Sequence, residues 1–311
     1  MKSYLSLIPI SAKVHKRKNR MTQLCIFLAV FLVTGIFAMA DMEVRSQRIR
    51  AVAEYGNWHI SLRGIGEEEE NLIALRPDVA EASWYNALNY RLSEDYTVDG
   101  KKACICGMEE IMLTDIMAEE LTEGTFPKEG KEVLLLENAK AALHVKIGDT
   151  VKLRTPSGGE ASYRISGFAE TTAMTARLDA IVLCLPTKAF GALYQQETRA
   201  ADVDFVYYVQ FKDHVRLRRA IEDIKEQFRI ADENAGENTM LLGVLGVSND
   251  STLLALYGAA LVLFVLVLLA GTLMITSSMN SNIAQRTAFF GMLRCIGADR
   301  KQTKHFVRLE A

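Results

Sequence analysis

Three cysteines have a spacing that could do chemistry: Cys104 and Cys106 stand two apart, and Cys184 lies in a later apolar run. Thiols so placed could hold a soft metal, since residues two apart on a strand share a face. No histidine stands near them to complete a coordination set, so the residues favour small, buried apolar side chains over a metal pair. Their odd number argues against obligatory disulfide pairing. The acidic run at 67–70 invites a calcium reading, yet calcium loops space their ligands around a glycine turn. Four acids in the first turn of a helix are explained by the helix dipole and by solvation. His59, His144 and His214 are scattered singly, as surface or capping histidines are. Ser157-Gly158-Gly159 is followed by Glu160 rather than a phosphate-binding lysine, and no G-x-x-x-x-G-K-[ST], G-x-S-x-G or H-E-x-x-H pattern occurs. The chain is therefore not expected to be an enzyme, to hydrolyse ATP itself, or to carry a cofactor.

Charge is what organises the chain. Between Asp41 and Asp250 there are 24 Lys and Arg against 36 Asp and Glu, a net of −12, whereas the flanks carry 12 against 2, a net of +10. The cuts coincide with two uncharged apolar stretches. Residues 21–40 reach about 30 Å as a helix, the thickness of a hydrocarbon core. A second uncharged stretch covers 251–285, with its apolar heart at 253–275. Lys13, Lys16, Arg17, Lys18 and Arg20 precede the first, and Arg286, Arg294, Arg300, Lys301, Lys304 and Arg308 follow the second. By the positive-inside rule both ends are cytoplasmic, in a multi-pass protein of the plasma (inner) membrane. A cleaved signal peptide at 21–40 is the alternative; the stretch is long for one and Ala38-Met39-Ala40 is a loose cleavage match. With Cys25 in the first span and Cys295 beyond the second, only the three central cysteines face outside.

The fold class expected is a membrane protein with two transmembrane α-helices flanking an α+β extracytoplasmic domain that contains an inserted β-rich subdomain. Residues 1–20 form a basic amphipathic segment on the inner leaflet, and the first span at 21–40 continues as a helical stalk to about 55, where Gly56 stops it. The exterior domain covers 56–248. It opens with a strand at 58–62 and a helix at 67–75, and strand character returns at 79–90. Short strands at 132–136, 150–154, 162–168 and 181–185, separated by turn signals, mark the β-rich subdomain at about 104–186. A strand at 205–211 and an amphipathic helix at about 213–229 follow, with Asp213 as N-cap and Leu217, Ile221, Ile224 and Phe228 on one face. The apolar, glycine-interrupted stretch 240–247 could pack on the domain or touch the membrane. The second span is placed at 251–277, and 278–311 is cytoplasmic. Neither span carries an ionisable residue, so an ion path or proton relay has no support.

The segment after the second span is the most specific. Phe290, Leu293 and Ile296 recur at helical spacing, Gly297 suits a left-handed stop, and Asp299 suits the N-cap of a short basic helix. Arg286, Phe290, Gly291, Leu293, Arg294, Ile296, Gly297 and Ala298 match the pattern R-x-x-[EQ]-[IF]-G-x-[LM]-R-x-[IL]-G-A, with Phe289 in place of the usual Glu or Gln. This corner resembles that of the FtsX-like permeases of ABC transporters. In the exterior part, Glu123-Gly124, Glu132-Val133-Leu134-Leu135, Lys146-Ile147-Gly148-Asp149-Thr150-Val151 and Tyr163-Arg164-Ile165-Ser166-Gly167 resemble the MacB-type periplasmic core domain.

The resemblance implies a permease subunit working by mechanotransmission, which exports or extracts a peptide, lipoprotein or antimicrobial compound. It implies a separate ABC ATPase contacting the nine residues from Arg286 to Asp299 just named, a second permease copy or paralogue, membrane lipid around the spans, and no nucleic acid. Family members have at least four spans, so the chain is expected to be the N-terminal portion of a permease. Two rivals share the layout: an FtsX-type regulator of cell-wall hydrolases, and a two-span sensor receptor. The receptor would need a heptad-patterned signalling helix where Gly297 stands.

Overall fold

The computed structural model describes residues 16–171, 175, 178–247, 252–295 and 299. The expected amphipathic segment ahead of residue 16 lies outside them. The chain divides into two units, Arg45–Thr252 and the pair Met1–Val44 with Leu253–Ala311.

Helix α1 (Lys16–Tyr55) ends where Gly56 takes φ +84°, a left-handed conformation open to glycine without strain. A Cβ at Gly56 would also stand 2.8 Å from the Ile116 carbonyl oxygen. Beyond it come β1 (Ile60–Leu62), α2 (Glu67–Ala74) and β2 (Val79–Leu88). The acidic run opens α2, and Glu69 accepts from the Gly66 N–H at 2.9 Å, so these acids cap a helix.

Next are β3 (Thr97–Val98) and β4 (Lys101–Met108), joined by Asp99 and Gly100 at φ 45° and 83°, the two left-handed positions of a type I′ hairpin turn. A π-helical turn at Met112–Ile116 leads to β5 (Leu121–Gly124), β6 (Glu132–Leu136), α3 (Glu137–Leu143), β7 (Thr150–Arg154), β8 (Glu160–Ala169) and β9 (Ile181–Leu185). Strand β4 pairs β3, β3 pairs β7, β7 pairs β8, β8 pairs β6, β6 pairs β9, and β9 returns parallel to β4. Six strands thus close a ring. Val151 and Leu153 of β7 point into it while Thr150, Lys152 and Arg154 face out, and Phe190 of α4 (Thr187–Thr198) is buried in the same core.

The β-rich part is continuous with the rest of the domain, because β4 also pairs antiparallel with β2 and belongs to both layers. The other layer is the antiparallel sheet β11–β1–β10–β2, with β10 at Val206–Phe211 and β11 at Ala235–Glu237. Ile60, Leu62, Tyr207 and Val209 on its inner face meet Ile73 of α2 and Ile221 and Ile224 of α5 (Leu217–Gln227).

Asp213 is not the N-cap expected of α5. His214 at φ +68° interrupts the helical conformation there, so the helix starts after Arg216 without a side-chain cap, and Asp213 pairs with Arg48 at 3.5 Å. The 240–247 stretch forms α6 (Thr239–Val244), and Leu242 and Val247 pack into the α5 core, so it belongs to the domain.

In the other unit, α7 (Thr252–Cys295) packs beside α1: the Phe37 and Phe264 rings lie 5.8 Å apart, and a Cβ on Gly271 would sit 3.6 Å from that of Ala29. An 18-residue window within Ile26–Tyr55 reaches a mean hydropathy of 1.9, and Tyr257–Met274 one of 2.4. Phe27, Phe31, Leu261 and Leu273 are exposed along these helices. Thr34, Thr272 and Thr276 return their hydroxyls to carbonyls four residues back, so these polar groups are satisfied without water.

Candidate functional site

The exterior domain's two ends are fastened to each other. Asn238 caps α6 by accepting from the Leu241 N–H at 3.1 Å, and its Nδ2 donates to the carbonyls of Gly56 at 3.2 Å and Trp58 at 3.0 Å. Asn57 donates its N–H to Ile116 at 2.7 Å, and the Asn238 N–H reaches the His59 carbonyl. His59 is buried, its Nδ1 accepts from the Phe211 N–H at 3.1 Å, and burial lowers its pKa to about 4, so the imidazole is neutral. The chain enters and leaves this domain through one hydrogen-bonded knot.

Beside the knot, a cleft of about 460 Å3 opens over the outer face of the ring. Its floor follows the two-residue strand period: Ala87 from β2, Cys104 and Cys106 from β4, and Val182 and Cys184 from β9. Register sets Cys106 directly opposite Cys184. Trp58 and Tyr208 meet edge to face at 4.9 Å to form a wall, and Tyr85 places its Oη 3.5 Å from Cys106 Sγ. Hydrogen bonding to Cys106 and burial push the Cys104 and Cys184 thiols up, which keeps both protonated. Among the described residues no group of three His, Cys, Asp or Glu side chains is arranged to hold a metal.

Glu119 also lines the cleft, and burial pushes its carboxyl from an ordinary 4.5 up to about 8. A raised acid favours the folded state while protonated, and that advantage is lost as pH rises from 4.5 through 8. Glu119→Gln is therefore expected to stabilise the protein at pH values above 8. The side chain is partly open to solvent, so the gain is about 1–2 kcal/mol, roughly 3–6 °C in melting temperature, and close to zero at acid pH. Thermal melts of both forms at the two pH values check this, and a lower melting temperature for the variant at high pH would contradict it.

Of the residues expected to couple to a partner, Arg286, Phe290, Gly291, Leu293 and Arg294 all fall within α7. Asp299 is exposed and outside any helix, while Ile296, Gly297 and Ala298 lie outside the described residues. The cleft was not foreseen. Its sequence signal was the shared face of Cys104 and Cys106, and the missing piece was Cys184, which the parallel β4–β9 pairing brings from about eighty residues away.

The family model for the MacB-like periplasmic core domain matches residues 21–227, and that for the FtsX-like permease C-terminal region matches 241–311. The chain belongs to the FtsX-like permeases with a MacB-like periplasmic core domain. It is thus a membrane permease of the ABC transporter class. Similar solved structures include the periplasmic region of MacB from Actinobacillus actinomycetemcomitans, at 14% identity over 64% of this chain and 96% of that one, TM-score 0.44. A domain of a candidate permease protein from Porphyromonas gingivalis is 16% identical over 57% of this chain and 85% of that one, TM-score 0.38. No curated protein matches the chain. In this permease the two family matches together cover both membrane-type helices and the exterior domain apart from residues 228–240.

Proposed function

We propose that the permease works by mechanotransmission: a separate ABC ATPase engages the cytoplasmic segment from Arg286 to Asp299, and its movement reaches the exterior domain through α1 and α7. The cargo is a peptide, a lipoprotein or an antimicrobial compound that is exported or extracted outside the membrane. The observation that carries this reading is the continuity of α1, forty residues and about 60 Å long, from its apolar segment to the knot at Gly56. A stiff helix of that length exceeds the roughly 30 Å hydrocarbon core and can transmit displacement. The absence of Asp, Glu, Lys, Arg and His from 21–40 and 251–285 also supports a route that does not run between the spans. A second permease copy or paralogue completes the assembly, with lipid around the spans.

The coupling is tested in the complete permease reconstituted with its ATPase. Gly297→Val strains the corner by about 1–2 kcal/mol if that glycine is left-handed, and Arg294→Glu reverses a charge facing the partner. Both should insert normally and lose substrate-stimulated ATP hydrolysis; wild-type stimulation in both would remove the segment from the mechanism. Orientation has its own test. With single cysteines on a background lacking the native ones, an impermeant reagent should label positions 67 and 160 in intact cells and spare 16 and 304. Labelling at 304 would reverse the topology.

A further inference from the structure

We propose that the cleft over the thiol face is a binding site for a small amphipathic amine, an apolar body bearing one ammonium group, held by the Glu119 carboxylate and the aromatic walls at Trp58 and Tyr85. The inference concerns the exterior domain by itself and holds whichever partner drives the permease. The void follows from residue choice rather than from a poor fit between layers. Its floor is Ala87, Cys104, Cys106 and Cys184, where Leu or Phe would fill the space, while the walls above pack ring on ring, Trp58 on Tyr208 and Tyr85 on Tyr208 at 6.0 Å. Its volume of about 460 Å3 is in the range of small-molecule sites.

Polarity narrows the ligand. Among the described residues the Glu119 carboxyl has no hydrogen-bond or ion-pair partner. Glu170, at the end of β8, acts on it as a second acid; the Cys106 and Cys184 thiols face it from the sheet; and Glu54 and Arg63 line the same cleft. Among the described residues two lining carboxyls, with Glu170 acting on Glu119 as well, stand against the one guanidinium of Arg63, which favours a cation, and the aromatic rings of Trp58, Tyr85 and Tyr208 line the same cleft. A bare metal ion is disfavoured, because no set of three ligating side chains converges among the described residues. The burial that raises Glu119 would be relieved by an ammonium brought beside it, so binding and deprotonation are linked.

The test uses the full chain in lipid nanodiscs with three probes of one shape: tryptamine, the alcohol tryptophol, and the anion indole acetate. Alkylation by N-ethylmaleimide is followed at each cysteine by mass spectrometry, and affinity by calorimetry. Saturating tryptamine should slow labelling of Cys106, the thiol of the cluster held in the ionisable range by its hydrogen bonds from Cys104 and Cys184, by about fivefold or more and leave the exposed Cys295 unchanged. Tryptophol should bind about tenfold more weakly and indole acetate not at all. With a carboxyl titrating near 8, tryptamine affinity should rise about tenfold from pH 7 to pH 9. Glu119→Gln should erase the preference for the amine, and Ala87→Leu, which fills the floor without touching the carboxyl, should abolish protection by every probe. Equal protection by amine and alcohol, a preference that survives Glu119→Gln, or protection that survives Ala87→Leu would each overturn the proposal. Slowed labelling of Cys295 would do so as well, because it marks partition into the bilayer.

Discussion

Asn238→Ala should destabilise the exterior domain by about 3–4 kcal/mol, more than any surface substitution, because one side chain satisfies three backbone groups. Asn238 is 3% exposed. Its removal leaves the Gly56 and Trp58 carbonyls without these donors and the Leu241 N–H without its cap. A buried group left unpaired costs about 1–3 kcal/mol, a lost N-cap about 1 kcal/mol, and partial entry of water brings the sum down to the range given. Asn238→Asp is the informative partner variant. It keeps the capping acceptor but turns a carboxylate on two carbonyl oxygens, so it should be no milder than alanine. Denaturant titration of the full chain, followed through tryptophan fluorescence, reads both. A loss under about 1 kcal/mol for Asn238→Ala would mean that the two ends of the domain are held by packing alone.

Substituting Gly107 should be nearly as damaging, for a steric reason. An added Cβ would stand 2.3 Å from Phe190 Cγ and 2.4 Å from Cδ1, and Phe190 is fully buried against Tyr194 and Phe205. Neither β4 nor the ring of Phe190 can move without opening the barrel core, so Gly107→Val is expected to cost about 3–4 kcal/mol. A double-mutant cycle separates this clash from a general loss of strand fit. Gly107→Ala with Phe190→Ala should be less destabilised than the sum of the two singles by at least about 1 kcal/mol, since removing the ring makes room for the methyl. Additive effects would show that Gly107 serves backbone geometry rather than close approach.

Several features were legible because they depend on neighbours in the chain. The apolar spans, the stop at Gly56, the acid-capped α2 and the alternation of β7 each follow from periodicity or local conformation over a few residues. Asp213 marks where local reasoning failed. Its residue type suits an N-cap, but the left-handed His214 that follows it and the reach of Arg48 from the distant α1 gave it a different role. Nothing in residues 213–217 announces Arg48.

By itself, then, the amino-acid order determined which segments are lipid-compatible and which short stretches become strands or helices. Tertiary structure alone decided that the β-rich part closes into a ring sharing β4 with the outer sheet, that Asn238 ties the domain's two ends together, and that Cys184 arrives opposite Cys106 beneath Glu119. The physical reason is range. Helix and strand patterns are set by contacts within a few residues, whereas a parallel pairing such as β4 with β9 joins segments about eighty residues apart, and its register is chosen by the packing of the whole core.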